Sequence, residues 1–186
     1  MRIITLAVVV LLSSLYTTAG AQKYITKTGK IEIFSETPLF TIDGVNKKVA
    51  SILNAENGEV VASTLVRSFR FEEALVEEHF NENYLEPNLY PKAIFKGRIL
   101  NFDEINLSED GTYEITISGE LTIHGQTRPI TEEGELVITA GNITATTRFE
   151  VSLEDYKVEI ERAYKNAIKD EILLKIYFNY QPYKKT

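Results

Sequence analysis

Residues 110–123, with the sequence DGTYEITISGELTI, decide the fold because apolar and polar side chains alternate along them. Every second position from Tyr113 to Ile123 is apolar or glycine, and the positions between them are polar or acidic. A period of two predicts a long antiparallel strand with one buried face. The Asp110-Gly111 pair in front of this strand is a strong turn signal.

The same period continues on both sides of this strand. In residues 93–100 the charged Lys96 and Arg98 are expected to face water and Phe95 to face inward, which predicts a hairpin with residues 113–123. The remaining strands are predicted around Leu136 and over residues 30–35, 47–54, 59–71, 143–151 and 171–180.

Two stretches have helical rather than alternating patterns, residues 72–82 and residues 154–169. Neither alternates with strands in the repeating way that a parallel sheet requires, so the pattern is typical of an all-β fold with short helical insertions. About eight strands with turn signals predict closure into an antiparallel β-barrel, because closure removes the exposed edges of the sheet.

The N-terminus has the composition of a secretory leader. Arg2 precedes an apolar run over residues 3–12, and Ala19-Gly20-Ala21 supplies the small residues that a signal peptidase recognises. We expect residues 1–21 to be a signal peptide cleaved after Ala21, leaving residues 22–186 as one exported domain, periplasmic or secreted. The alternative is an uncleaved anchor, although the apolar run is shorter than the roughly 20 residues that span a bilayer.

Composition excludes several classes of function. The 186 residues contain 27 acidic and 20 basic side chains, a net charge of -7, which disfavours binding of nucleic acid. The absence of cysteine excludes disulfides and thiolate chemistry, and the two histidines, His79 and His124, make a metal site improbable. The sequence has neither a G-x-S-x-G nor an H-E-x-x-H motif, so we expect a protein without enzymatic activity.

The alternation also predicts which side chains face the interior of the barrel. Gly97 and Gly119 are expected to leave room there, and a cavity with this lining would suit a long apolar molecule. The predicted lining consists of Val61, Leu65, Phe69, Phe95, Ile99, Ile115, Ile117, Gly119, Leu121, Leu136, Ile138, Phe149, Ile176 and Phe178. Periodicity leaves two alternatives open. An eight-stranded barrel can be filled by its own side chains, and a small outer-membrane barrel would turn the apolar face toward lipid.

Three further segments carry a resemblance to a known family. They are SFRF at residues 68–71 with EHFNENY at 78–84, YPKAIFKG at 90–97, and SGELTIHGQTRP at 118–129. Together they resemble the YceI-like family of secreted bacterial proteins, and the third segment is the most specific. The resemblance implies a lipocalin-like barrel that holds a long polyisoprenoid chain, such as a prenyl or quinone tail. It therefore implies a lipid-binding or carrier role, with an apolar lipid as the ligand and no other cofactor.

The third segment leaves two roles open for His124 and Arg128. Gly125 indicates a tight hairpin and Pro129 an edge or a bulge, so the segment can simply make a turn. Alternatively, both side chains lie at the mouth of the barrel and contact the head group of a ligand, for which the arginine donors are suited. A second copy of the chain and a membrane donor or acceptor protein stay open as partners.

Overall fold

The computed structural model describes residues 22–36, 41–160 and 169–183. Within these residues the chain forms nine β-strands and one short α-helix, α1 (Ala74–His79). The strands are β1 (Lys23–Glu36), β2 (Thr41–Asn54), β3 (Glu59–Leu65), β4 (Arg70–Phe71), β5 (Lys92–Ile99), β6 (Gly111–Ile123), β7 (Gln126–Thr139), β8 (Asn142–Ser152) and β9 (Glu171–Pro182). Two 3₁₀ turns (Val66–Ser68 and Phe102–Glu104) and one π-helical turn (Phe80–Tyr84) lie in the connections.

Eight of the described strands form one closed antiparallel sheet. Their order is β1-β9-β8-β7-β6-β5-β3-β2, and β2 pairs with β1 to complete the ring. The two-residue β4 adds only to the first half of β2. Closure satisfies backbone groups that an open sheet leaves unpaired at its edges. The lipocalin-like, all-β antiparallel barrel of about eight strands expected from the sequence is therefore confirmed.

The alternating pattern has its apolar face toward the interior. On β6, Ile115 is buried, whereas Glu114 and Glu120 are exposed on the outer surface. Lys96 and Arg98 of the neighbouring β5 are exposed in the same way. An outer-membrane barrel needs the opposite orientation, with the apolar face toward lipid. This alternative is therefore contradicted by the strands that suggested it.

The buried side chains form two clusters, one above the other along the barrel axis. The lower cluster consists of Tyr24, Val49, Leu53, Val60, Ala62, Ile99, Phe102, Ile115, Leu136, Ile138, Ile143, Phe178 and Tyr180. The upper cluster consists of Ile33, Val66, Phe69, Leu85, Leu121, Phe149, Val151, Tyr156, Val158, Ile172 and Leu174. The lower end of the barrel has the short β2–β3 and β7–β8 turns. The upper end has residues 66–91, the β6–β7 turn and residues 153–160.

The inward face of β3 differs from the sequence prediction by one residue. Val60 and Ala62 are buried, whereas Val61 and Leu65 are 44% and 50% exposed. The prediction treated residues 59–71 as one continuous strand, and it therefore placed Val61 and Leu65 on the same inward face as Phe69. The 3₁₀ turn Val66–Ser68 interrupts that strand and changes the parity. The prediction that Val61 and Leu65 line the interior is therefore wrong.

Gly97 and Gly119 lie directly opposite each other in the ladder between β5 and β6. A Cβ atom on Gly119 would overlap with the backbone of Gly97 and Lys96, and a Cβ on Gly97 would meet the ring of Phe95. The two glycines thus allow a close approach of two backbones, with the Phe95 ring covering the gap. The expectation that Gly119 leaves room in the interior is wrong.

The helical predictions are confirmed only in part. The first is present as α1 followed by the π-helical turn, within residues 74–84. In the second, residues 154–157 form a turn and residues 158–160 have no regular structure, while residues 161–168 lie outside the described part of the chain. The predicted signal peptide, residues 1–21, also lies outside it. Among the described residues, no helix has the length and apolar character needed to cross a membrane.

Candidate ligand-binding cavity

The two clusters leave a cavity of about 220 Å³ inside the barrel. All eight strands of the barrel contribute to its lining, together with residues from the upper end. Serine, threonine and tyrosine hydroxyls are the polar side-chain groups among the lining residues that the structure describes; none of these residues is charged and none is histidine. The alternative of a barrel filled by its own side chains is therefore contradicted.

Most of the side chains that the sequence placed inside do line this cavity. These are Phe69, Phe95, Ile99, Ile115, Ile117, Leu121, Leu136, Phe149, Ile176 and Phe178. Ile138 is only 2% exposed but packs within the lower cluster rather than at the cavity wall. Val61, Leu65 and Gly119 are absent from the lining, for the reasons given above.

Sequence reasoning missed the lining at the upper end. Leu85, Tyr156, Val158 and Ile160 all face the cavity from segments without regular structure or with turns. The last three stand at every second position, which is a signal of extended chain that the helical interpretation of residues 154–169 overlooked. Leu85 has no such signal, because its position depends on the π-helical turn before it.

The lower end of the cavity is closed by Tyr180, which is 1% exposed. Its hydroxyl oxygen lies 2.7 Å from Ser51 Oγ, and Ser51 Oγ lies 3.1 Å from the carbonyl oxygen of Val61. Because the carbonyl can only accept, the Ser51 hydroxyl donates to Val61 and the Tyr180 hydroxyl donates to Ser51. Burial raises the pKa of Tyr180 above its ordinary value.

This buried phenol gives the protein an expected sensitivity to alkali. An unfolded tyrosine ionises at about pH 10, whereas folded Tyr180 keeps its proton to higher pH. Above about pH 10 the unfolded chain therefore binds fewer protons than the folded chain, and the free energy of unfolding falls as pH rises. Urea unfolding at about pH 8 and about pH 11 should show a smaller fall for Tyr180→Phe than for the parent. An equal fall in both proteins would contradict this role of Tyr180.

His124 is placed by a two-residue turn between β6 and β7. His124 and Gly125 have φ angles of 49° and 70°, which is the left-handed geometry of a type I′ hairpin. The histidine is 9% exposed. Its Nδ1 lies 3.1 Å from the carbonyl oxygen of Tyr156, its Nε2 lies 2.9 Å from Glu86 Oε2, and the Tyr90 ring packs edge-on at 4.4 Å between centroids. Both ring nitrogens therefore have protein partners.

The predicted head-group residues both lie outside the cavity lining. His124 makes the turn and binds two other segments, and its contact with a head group stays a prediction. Arg128 does not line the cavity either, and its guanidinium donates to the carbonyl of Thr127 at 3.3 Å. Arg128 pairs with the inward-facing Leu121 across the β6–β7 ladder, so a contact with a ligand at the upper end stays a prediction.

The wall of the barrel is split at its upper end between β7 and β8. These strands pair from Thr139 opposite Asn142 only as far as Gly134 opposite Thr147. Beyond that point β7 remains paired with β6, and β8 remains paired with β9. Residues 126–133 and 148–152 are therefore not joined to each other by ladder hydrogen bonds, which leaves a gap in the wall.

Residues 153–160, which we call the strap, cross this gap. Their base is fixed to the start of β9, where Asp170 accepts hydrogen bonds from the Ser152 hydroxyl and the Glu154 amide. Further along, the carbonyl of Tyr156 is bonded to His124 on the other side of the gap. Tyr156 and Val158 are 3% and 5% exposed, so the strap covers the cavity with apolar side chains.

The sheet is a closed antiparallel barrel whose inner face is apolar and whose outer face is polar. This architecture places the protein among lipocalin-like barrels. A family model described as the YceI-like domain matches residues 16–180. The chain therefore belongs to the YceI-like family, which confirms the resemblance carried by residues 68–71, 78–84, 90–97 and 118–129.

Solved structures with the same fold support this assignment. A polyisoprenoid-binding domain from Saccharophagus degradans, described as implicated in plant cell wall breakdown, has a TM-score of 0.76 and 13% identity, covering 87% of this chain and 98% of that one. BcnA of Burkholderia cenocepacia has a TM-score of 0.68 and 16% identity, covering 82% and 96%. The YCEI protein of Campylobacter jejuni has a TM-score of 0.61 and 15% identity, covering 81% and 90%. No curated protein sequence matches the chain.

Proposed function

We propose that this protein binds a long apolar chain, such as a polyisoprenoid or a quinone tail, inside its barrel and carries it outside the cytoplasm. The observation that carries the proposal is the cavity of about 220 Å³ whose described lining residues are all uncharged. Apolar cavities of about 150 Å³ stay free of water and accept benzene. The present cavity has room for a larger apolar group than that.

The energetics favour a slender hydrocarbon. Transfer of each CH₂ group from water to an apolar site is favourable by roughly 0.8 kcal/mol, so a few isoprene units are enough for firm binding. A charged or strongly polar molecule would lose its hydration here, because the described lining offers only a few hydroxyl groups in exchange. The head group of the ligand is therefore expected to stay at the upper end, near the gap between β7 and β8.

Two further considerations support this choice of ligand and role. The Saccharophagus degradans domain, described as polyisoprenoid-binding, has the same fold. General acid–base catalysis needs titratable side chains at the bound molecule, whereas the described lining of this cavity supplies none that titrates near neutral pH. We infer a binding protein rather than an enzyme.

Native mass spectrometry of the protein purified from its own host tests the proposal. We expect the intact protein to have a bound mass, lost on organic extraction, whose fragments belong to a prenyl series. The extracted protein should take up ubiquinone added in detergent. A bare polypeptide from the host that also takes up no ubiquinone would overturn the proposal.

The same spectrum tests export. Cleavage after Ala21 would give a mature chain that begins at Gln22 and contains 19 basic and 27 acidic residues, a net charge of -8 after loss of Arg2. The mass of residues 22–186 in the exported fraction is the expected result. A chain that retains residues 1–21 would indicate an uncleaved anchor instead.

A further inference from the structure

The contacts of His124 require more protons than a neutral imidazole has. Nδ1 faces the backbone carbonyl of Tyr156, which can only accept, so Nδ1 must donate. Nε2 lies 2.9 Å from a carboxylate oxygen of Glu86, which also accepts when ionised. A neutral histidine satisfies one of these contacts and sets a lone pair against the other. Both contacts are satisfied when the His124–Glu86 pair holds one additional proton.

These two contacts join the β6–β7 hairpin to both parts of the upper end that face the cavity. Glu86 follows Leu85, which lines the cavity and is 8% exposed. Tyr156 belongs to the strap and also lines the cavity. Glu86 itself has a φ of 41°, a left-handed conformation that costs energy for a residue other than glycine. The His124 side chain is thus a junction between two coverings of one cavity.

We propose that the His124–Glu86 pair is a proton-dependent latch that holds the strap over the gap between β7 and β8, and that ligand enters and leaves through this gap. The inference rests on the proposed function, because it concerns access to the same cavity. When the additional proton is present, the imidazolium donates to Tyr156 and to Glu86 and the strap is closed. When the proton leaves, the remaining N–H stays on Nε2 with the Glu86 carboxylate, the Nδ1 lone pair faces the carbonyl oxygen of Tyr156, and the strap opens more often.

The groups around the imidazole leave the latch dependent on this one pair. From residues 85–91 it meets Glu86 and the Tyr90 ring. From the strap it meets the backbone carbonyl of Tyr156. The pKa of the Tyr156 side chain is raised, first by burial and second by the charge of Asp155, while the charge of Arg128 lowers it. Within the described residues, Glu86 is thus the carboxylate in hydrogen-bond contact with His124.

Two substitutions separate the latch from the turn. His124→Asn keeps a side chain that tolerates left-handed backbone and creates Asn-Gly, the preferred type I′ pair, but it removes the imidazole. Glu86→Gln keeps the shape of the carboxylate, and its amide can donate to the Nε2 of a neutral histidine, so closure no longer needs the additional proton. His79→Asn, which changes the other histidine of the chain, is the matched control.

The experiment uses diphenylhexatriene, an uncharged apolar rod that fluoresces when it leaves water and has no titratable group of its own. Protein loaded with this probe is mixed with excess phosphatidylcholine vesicles at about pH 5.5 and about pH 8.5. Loss of a charge-assisted hydrogen bond predicts release about tenfold faster at the higher pH for the parent and for His79→Asn. Release should be fast at both pH values for His124→Asn and slow at both for Glu86→Gln.

Hydrogen exchange of the strap amides gives a second measurement that needs no ligand. After correction for the intrinsic effect of pH, exchange of the amides in residues 153–160 should differ among the four proteins as probe release does. It should be faster at the higher pH for the parent and for His79→Asn, fast at both pH values for His124→Asn, and slow at both for Glu86→Gln. A parent that takes up no probe would contradict the proposed function, while the exchange pattern would still test the latch. A parent that binds the probe, with release and exchange that depend on pH in the same way in all four proteins, would overturn the latch alone.

Discussion

Replacement of Ala145 by phenylalanine is expected to weaken binding of the apolar chain about a hundredfold or more and to leave the barrel folded. Ala145 lies on β8 opposite Leu136 and Phe178, and its methyl group lines the cavity. A phenyl ring there would occupy the space of about four methylene groups. At roughly 0.8 kcal/mol for each, affinity should fall about a hundredfold or more. Because the ring would extend into the cavity that Ala145 lines, we expect the change in stability to stay within about 1–3 kcal/mol.

Thr144→Phe is the matched control, because it adds the same ring one residue away on the exposed outer face. Titration of diphenylhexatriene fluorescence into both variants and the parent measures the effect. Thr144→Phe should bind as the parent does. If Ala145→Phe binds with the affinity of the parent while circular dichroism shows the same fold, the ligand does not lie in this part of the barrel.

Replacement of Gly119 by alanine is expected to have the largest effect on stability. The added Cβ would overlap with the Gly97 and Lys96 backbone of β5, and neither backbone can rotate away as a flexible side chain could. The strands must separate at their closest approach and lose hydrogen bonds of the β5–β6 ladder. We expect a decrease of about 3 kcal/mol in the free energy of unfolding, measured by the urea midpoint.

Gly111→Ala provides the comparison on the same strand. A Cβ at Gly111 would lie 3.3 Å from the ring of Tyr113, a side chain that can move. This variant should stay within about 0.5 kcal/mol of the parent. Similar midpoints for the two alanine variants would show that the close approach of Gly97 and Gly119 has no special role in closing the barrel.

The sequence predicts the barrel well where its alternation reflects burial on one face. On β6 and β8, positions such as Ile115, Leu121 and Phe149 follow the period of two without interruption, and each one lines the cavity. In these strands the pattern and the structure depend on the same cause, because one face of the sheet meets an apolar interior. The order of the strands follows from the hairpins, whose turn signals are local.

The failures occur where position depends on contacts between distant segments. Val61 and Leu65 were misplaced because a single 3₁₀ turn changes parity without changing composition. The alternation places Gly119 on the inward face, but it does not show that the residue opposite is another glycine, at which the two backbones approach closely. The partners of His124 come from residues 38 and 32 positions away, Glu86 and Tyr156, on segments without periodic signals. Local patterns carry no information about such pairs.

A crystal structure of the protein purified from its own host, with its bound material retained, tests the central claim most directly. We expect continuous elongated density in the cavity, beginning above Tyr180 and ending at the gap between β7 and β8 beneath the strap. An interior filled by side chains, with no space for a hydrocarbon chain between the upper and lower clusters, would contradict it.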